Sequence, residues 1–202
     1  MNKKKTWLVV LVLILIYSIG GIYYNLTNRD TKKNDVKQID SVDKYNYVLK
    51  SNATELQKTL FNELKDVLKA DSVNDDDYAK VISKMFVTDL YTLSNKVNKY
   101  DVGGTDLVLE KGRENFKLNV EDTLYKYLED NSDGNRNQIL PEVIKVNADE
   151  ITDVKYKIDE TEYDAKKVVL SFEYKEDLGY DDKATVILIK VDNYYYVVES
   201  TN

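Results

Sequence analysis

The chain has 202 residues, a formal net charge of −7, no cysteine and no histidine. Those absences exclude disulfides, thiol nucleophiles, iron–sulfur clusters and zinc–thiolate sites, and remove the commonest general base and transition-metal ligand. The acid is dispersed along the chain, and an acidic surface repels phosphate backbones, so nucleic acid is not an expected partner.

Residues 1–6 carry Lys3, Lys4 and Lys5, and no charge then occurs from Thr6 to Asn28. Residues 7–24 read as a transmembrane helix. Eighteen residues at a 1.5 Å rise reach about 27 Å, close to a hydrocarbon core of roughly 30 Å. Trp7 stands at one end and Tyr23 with Tyr24 at the other, as interfacial anchors do. The run exceeds the roughly 7 to 15 apolar residues of a cleaved signal and lacks a small-x-small site, which favours a retained anchor. The positive-inside rule keeps the short tail in the cytoplasm and sets the remainder outside the cell membrane. Residues 25–43 are polar and aperiodic and read as a flexible stalk. Residues 44–202 then form one extracytoplasmic domain. A domain of about 150 residues buries roughly 70% of its unfolded surface and needs no metal or disulfide staple.

Within that domain, Asn52 with Glu55 three residues later predicts a helix start of the capping-box type. Leu56, Leu60, Leu64 and Leu68 continue the helix at a spacing of four. Asp75-Asp76-Asp77 opens a second helix, where acid complements the helix dipole. Its apolar stripe runs Tyr78, Ile82, Phe86, Leu90, Leu93, Val97, Tyr100, and Gly103-Gly104 is read as its stop. A third helix is expected over 113–129, with Phe116, Val120, Leu124, Tyr127 and Leu128 on one face.

The period then changes. Residues 142–146 and 151–158 read as two extended segments. From Lys167 onward, Val168, Leu170, Phe172 and Tyr174 alternate with polar residues, the pattern of a half-buried strand. Residues 184–191 are apolar on both faces and should be a central strand. Asp192-Asn193 reads as a two-residue hairpin turn into a last strand from Tyr194. The expected fold is therefore α+β: after the transmembrane helix, three helices packed on a curved antiparallel sheet of four to five strands.

The element order over residues 52–200, and the hairpin ATVILIKVDNYYYVVE from Ala184 to Glu199, resemble the nuclear transport factor 2-like superfamily. The resemblance implies a cone whose mouth holds any ligand site. Catalytic members use an Asp–His pair there, or an Asp and a Tyr, around a small apolar ligand. With histidine absent, the candidate pocket residues are Asp89, Tyr91 and Asp101. A buried aspartate with a raised pKa can act as a base, while the blander reading leaves Asp89 solvated at the edge of the stripe. Membrane-anchored bacterial members serve secretion and conjugation assemblies and share the layout of short tail, single span and outward domain.

Tyr194, Tyr195 and Tyr196 crowd one strand and form a candidate protein interface, since exposed aromatics favour protein contacts. Ordinary sheet packing is the alternative for them. Glu129, Asn131, Asp133 and Gly134 match the first half of a calcium loop, but Leu140 occupies the twelfth position, where a bidentate Glu belongs. No metal or cofactor is expected.

The leading functional reading is a non-catalytic envelope binding or scaffold protein with a protein partner or self-association. The alternative is a small-molecule-binding domain, or a histidine-free lyase or isomerase, using the cone pocket.

Overall fold

The computed structural model of the chain describes residues 37–42 and 47–201. The expected tail, membrane span and most of the expected stalk lie outside those residues. Among the described residues no helix is long and apolar enough to cross a membrane. The end of the segment read as stalk is not structureless. Gln38–Val42 forms strand β1, which pairs antiparallel with β2, Tyr47–Lys50.

Helix α1 spans Glu55–Lys69 and buries Leu60, Phe61 and Leu64. Its N-cap is Thr54, not Asn52. The Thr54 hydroxyl accepts from Gln57 N at 3.3 Å, and Gln57 Oε1 accepts from Thr54 N at 2.8 Å, a complete capping box. Asn52 is drawn away because its amide reaches Asn95 O at 2.8 Å.

Helix α2, Asp75–Tyr91, is capped by Asn74 and buries residues around most of its circumference. That distribution fits a helix laid across a sheet and backed by α1, and α2 touches all four strands of the main sheet. It stops well short of the expected Tyr100. Beyond Thr92, the amides of Leu93 and Ser94 both donate to Pro141 O, at 2.9 and 3.1 Å, instead of to the preceding turn. The chain then runs irregularly to a 3-10 turn at Thr105–Leu107. Val108 bridges Val197, and Leu109 N donates to Val197 O at 3.0 Å, so this segment covers part of the last strand's open edge.

Helix α3, Glu110–Asp122, both begins and ends before its expected bounds. Tyr125 accounts for the early stop. Its ring turns fully inward and its hydroxyl donates to Leu90 O at 2.8 Å, while Tyr127, expected on the apolar face, is 78% exposed.

The sheet is an antiparallel meander, β3 (Val143–Ile158), β4 (Thr161–Tyr174), β5 (Lys183–Val191) and β6 (Tyr194–Thr201), in that spatial order. The two extended segments expected before Thr161 are one strand, interrupted by a register shift between Ala148 and Glu150. The other strand expectations hold. Val168, Leu170 and Phe172 are buried, β5 is internal, and Asp192 and Asn193 turn with φ of 50° and 70°, as a tight hairpin requires. Three helices on a four-stranded antiparallel sheet make this an α+β domain.

The core joins α1 and α2 to the sheet through Phe61, Ile82 and Phe86 on one side and Val168, Val186 and Leu188 on the other. The acidic run at the start of α2 is bound to the same sheet. Asp75 pairs with Lys190 and Asp76 with Lys166, each at 2.5 Å, and Lys166 also meets Asp153 at 2.6 Å.

Candidate functional site

The break in helix α2 builds a site. A cavity of about 450 Å³ opens between β2, the start of α1, the far half of α2, the irregular segment after it and the first residues of β6. Asp89 and Asp101 both line it, as do Tyr194 and Tyr196. The candidate pocket and the candidate interface thus share residues of a single cavity.

Asp89 is the most heavily engaged group there. Lys96 Nζ donates to its Oδ1 at 2.5 Å, Gln57 Nε2 donates to the same oxygen at 2.9 Å, and Gly104 N donates to Oδ2 at 2.6 Å. Lys96 is only 3% exposed, whereas 31% of the Asp89 side chain faces the cavity. Burial alone would raise the Asp89 pKa. The Lys96 charge and hydrogen bond, the Gly104 amide and the more distant Lys50 outweigh it and hold the carboxyl below its ordinary value. That direction is opposite to what a general base near neutral pH needs.

The glycines bring this about by proximity. A Cβ on Gly103 would lie 2.0 Å from Asp89 O, and Gly104 has φ of 73°. Both positions need glycine for the returning chain to press against α2, so the pair acts as a contact surface and not as a helix stop.

Asp101 is 12% exposed and accepts from Val97 N at 3.2 Å. Lys50 stands 3.6 Å from its other oxygen. For Lys50, burial alone would lower the pKa, but the carboxylates of Asp101, Asp89 and Asp106 carry it above the usual lysine value. Asn95 ties the wall together, donating to Asn52 O at 3.0 Å and to Gln57 Oε1 at 2.9 Å. Tyr47 closes the cavity toward the core, its hydroxyl 2.8 Å from that of Tyr78, and burial pushes it far above the usual phenol value.

The other candidates are dispersed. Tyr195 points away from Tyr194 and Tyr196, as strand alternation requires. It is buried against α2, its ring edge-on to Tyr78 at 5.1 Å, and burial pushes its hydroxyl up to about 12. It is therefore a core residue, not an exposed contact. The rings of Tyr194 and Tyr196 lie 6.3 Å apart.

Tyr91 is buried, packs on Phe172 at 5.2 Å and belongs to a different cavity of about 690 Å³ between α3 and the sheet. Phe86, Phe116, Val120 and Leu124 give that second space apolar walls. On its rim the Tyr156 hydroxyl donates to Glu199 at 3.1 Å, and Lys111 pairs with Asp159.

Asp75 and Asp76 are paired with sheet lysines, and the loop around Asp130 folds on itself, Asp130 Oδ1 accepting from Ser132 N at 2.8 Å. Among the described residues no group of three or more acidic side chains is placed to hold an ion.

Sequence reasoning missed Lys50, Gln57, Asn95, Lys96 and Arg113, all of which line the cavity. None of them stood out in sequence, Lys96 lying among Ser94, Asn95, Asn98 and Lys99 in a polar stretch.

Comparison with known proteins returns no match: no family model fits the sequence, and no curated protein or solved structure matches it.

Proposed function

We propose that the chain is a membrane-anchored, extracytoplasmic binding or scaffold protein that acts without catalysis, as a component of a bacterial envelope assembly. In this reading residues 7–24 span the membrane once, the amino terminus stays in the cytoplasm, and the domain has the curved-sheet, cone-like build of the nuclear transport factor 2-like superfamily. One observation carries the non-catalytic part. Asp89, the acid best placed by sequence to serve as a base, has its pKa depressed and both oxygens taken by Lys96, Gln57 and the Gly104 amide. A carboxylate committed in that way organises structure in preference to exchanging protons. The anchor and topology rest on the apolar run and its flanking lysines.

The test is in two parts. Protease added to intact, wall-stripped cells releases a fragment close to the whole outward domain, and cross-linking in membranes recovers a stoichiometric partner or a self-assembled species. Digestion only after lysis would overturn the topology. A solution monomer with no cross-linked partner would overturn the assembly role.

The second reading, a small-molecule-binding or histidine-free lyase or isomerase domain, is favoured by a separate observation. The space between α3 and the sheet is open, and Tyr91 lies on its wall. A well-folded Tyr91→Phe variant that loses function while cross-linked assemblies are unchanged would move the assignment to that cavity.

A further inference from the structure

The 450 Å³ cavity combines apolar surface with charges of both signs. Met85, Tyr194 and Tyr196 supply apolar and aromatic surface. Asp89, Asp101 and Asp106 face Lys50, Lys96 and Arg113, three acids against three bases. Asp89 and Lys96 neutralise each other at 2.5 Å. Two carboxylates and two cations therefore remain.

Of those four, Asp101 accepts from Val97 N at 3.2 Å and Arg113 Nη2 donates to Val108 O at 3.2 Å, while Lys50 and Asp106 are loosely held. Lys50 stands 3.6 Å from Asp101, beyond a good hydrogen bond, and 39% of its side chain is open. Asp106 is exposed. Two shielded polar atoms on the wall also lack a hydrogen-bond partner within the protein: Asn95 Oδ1, an acceptor, and Arg113 Nε, a donor. The Asn95 amide nitrogen already donates twice, while its oxygen is left without a donor.

We propose that this cavity binds a zwitterion of the amino-acid class, a free amino acid or dipeptide carrying a bulky apolar side chain. Lys50 and Arg113 meet the ligand carboxylate. Asp106 and Asp101 meet its ammonium. Tyr194, Tyr196 and Met85 take its side chain. A purely anionic or purely cationic ligand would leave one of the two like-charged pairs opposed or unpaired, and a fully apolar one would leave both unpaired. The cavity's size lies within the roughly 300 to 1,000 Å³ of small-molecule sites. This inference goes beyond the scaffold reading and stands whether or not the protein joins an envelope assembly.

Titration calorimetry on the full-length protein in detergent tests it, with leucyl-phenylalanine and its N-acetylated, C-amidated form as probes. The free dipeptide should bind saturably at one site, and the doubly blocked form about tenfold or more weakly, since hydrogen bonds to charged groups carry that much affinity. Lys50→Met should weaken the free dipeptide by a similar factor. Asp106→Asn, at an exposed position that does not threaten the fold, should weaken it as well while leaving an N-acetylated dipeptide with a free carboxylate unaffected. Absence of saturable binding, equal affinity for free and blocked peptides, or unchanged binding in Asp106→Asn would each overturn the assignment.

Discussion

Lys96 closes on Asp89 at 2.5 Å although the two are seven residues apart. In a continuous helix that separation would put them about 10.5 Å apart along the axis, so the contact depends on α2 ending at Tyr91. The pair also places a buried cation where it holds the returning chain against the helix. Lys96→Met should destabilise the protein by about 1–3 kcal/mol, because it leaves a partly shielded carboxylate with only the Gln57 and Gly104 donors. Denaturant unfolding of wild type and variant measures the difference.

The same carboxylate sets an acid limit. Its folded pKa lies below the unfolded value of about 3.9, so near that pH the unfolded chain binds more protons than the folded one. Its contribution to stability is fully present above the unfolded value and is lost as pH falls through the folded one. Asp89→Asn should therefore lower stability at neutral pH and flatten the decline of stability below about pH 4. Unfolding midpoints across that range, with parallel slopes for both proteins, would reject this account.

Gly103→Ala should cost at least about 2 kcal/mol, since the new methyl would lie 2.0 Å from a backbone carbonyl that cannot turn aside. Gly112→Ala is the matched control, with nothing within 4 Å of its added Cβ. It lies in α3, where alanine is favoured over glycine, so it should be neutral or slightly stabilising. Thermal melts of the two variants report the contrast.

Tyr195 and Tyr196 are neighbours with separable roles. Tyr195→Ala removes a buried ring that packs on Tyr78 and should cost about 3–5 kcal/mol. Tyr196→Ala, on the cavity wall, should cost much less and instead alter binding. Equal unfolding midpoints would contradict the assigned strand faces.

Leu188→Asp places a charge at a fully buried position of an internal strand and should abolish folding, whereas Glu173→Lys loses only an exposed pair with Lys145 and should stay within about 0.5 kcal/mol. Circular dichroism of the two proteins decides the matter.

What could be read from sequence was what local physics controls. The alternation through Val168, Leu170 and Phe172, the apolar β5 and the Asp192-Asn193 turn were all legible, because side-chain period and turn chemistry act within a few residues. The end of α2 was not. Leu93 keeps the helical spacing and is buried, but its amide is satisfied by Pro141, forty-eight residues on, and no local pattern encodes that. The N-cap of α1 moved for a similar reason, since Asn52 serves a distant carbonyl of Asn95. Asp89 and Asp101 were visible as acids near an apolar stripe, yet the cations that give the cavity its character come from β2, α3 and the irregular segment. Only tertiary structure assembles them.

The seating of α2 on β6 has a consequence for how the protein is made. Tyr78 rests on Tyr195, and Asp75 reaches Lys190 across 115 residues of chain. The helices leave the ribosome first, and part of the apolar side of α2 waits without its cover until the final hairpin has emerged. Folding is thus deferred to the end of synthesis, since contacts this distant in sequence form late. Until then the exposed helix faces are liable to aggregate. A chain halted before Tyr194 should remain protease-sensitive throughout, whereas the completed one closes in a single cooperative step.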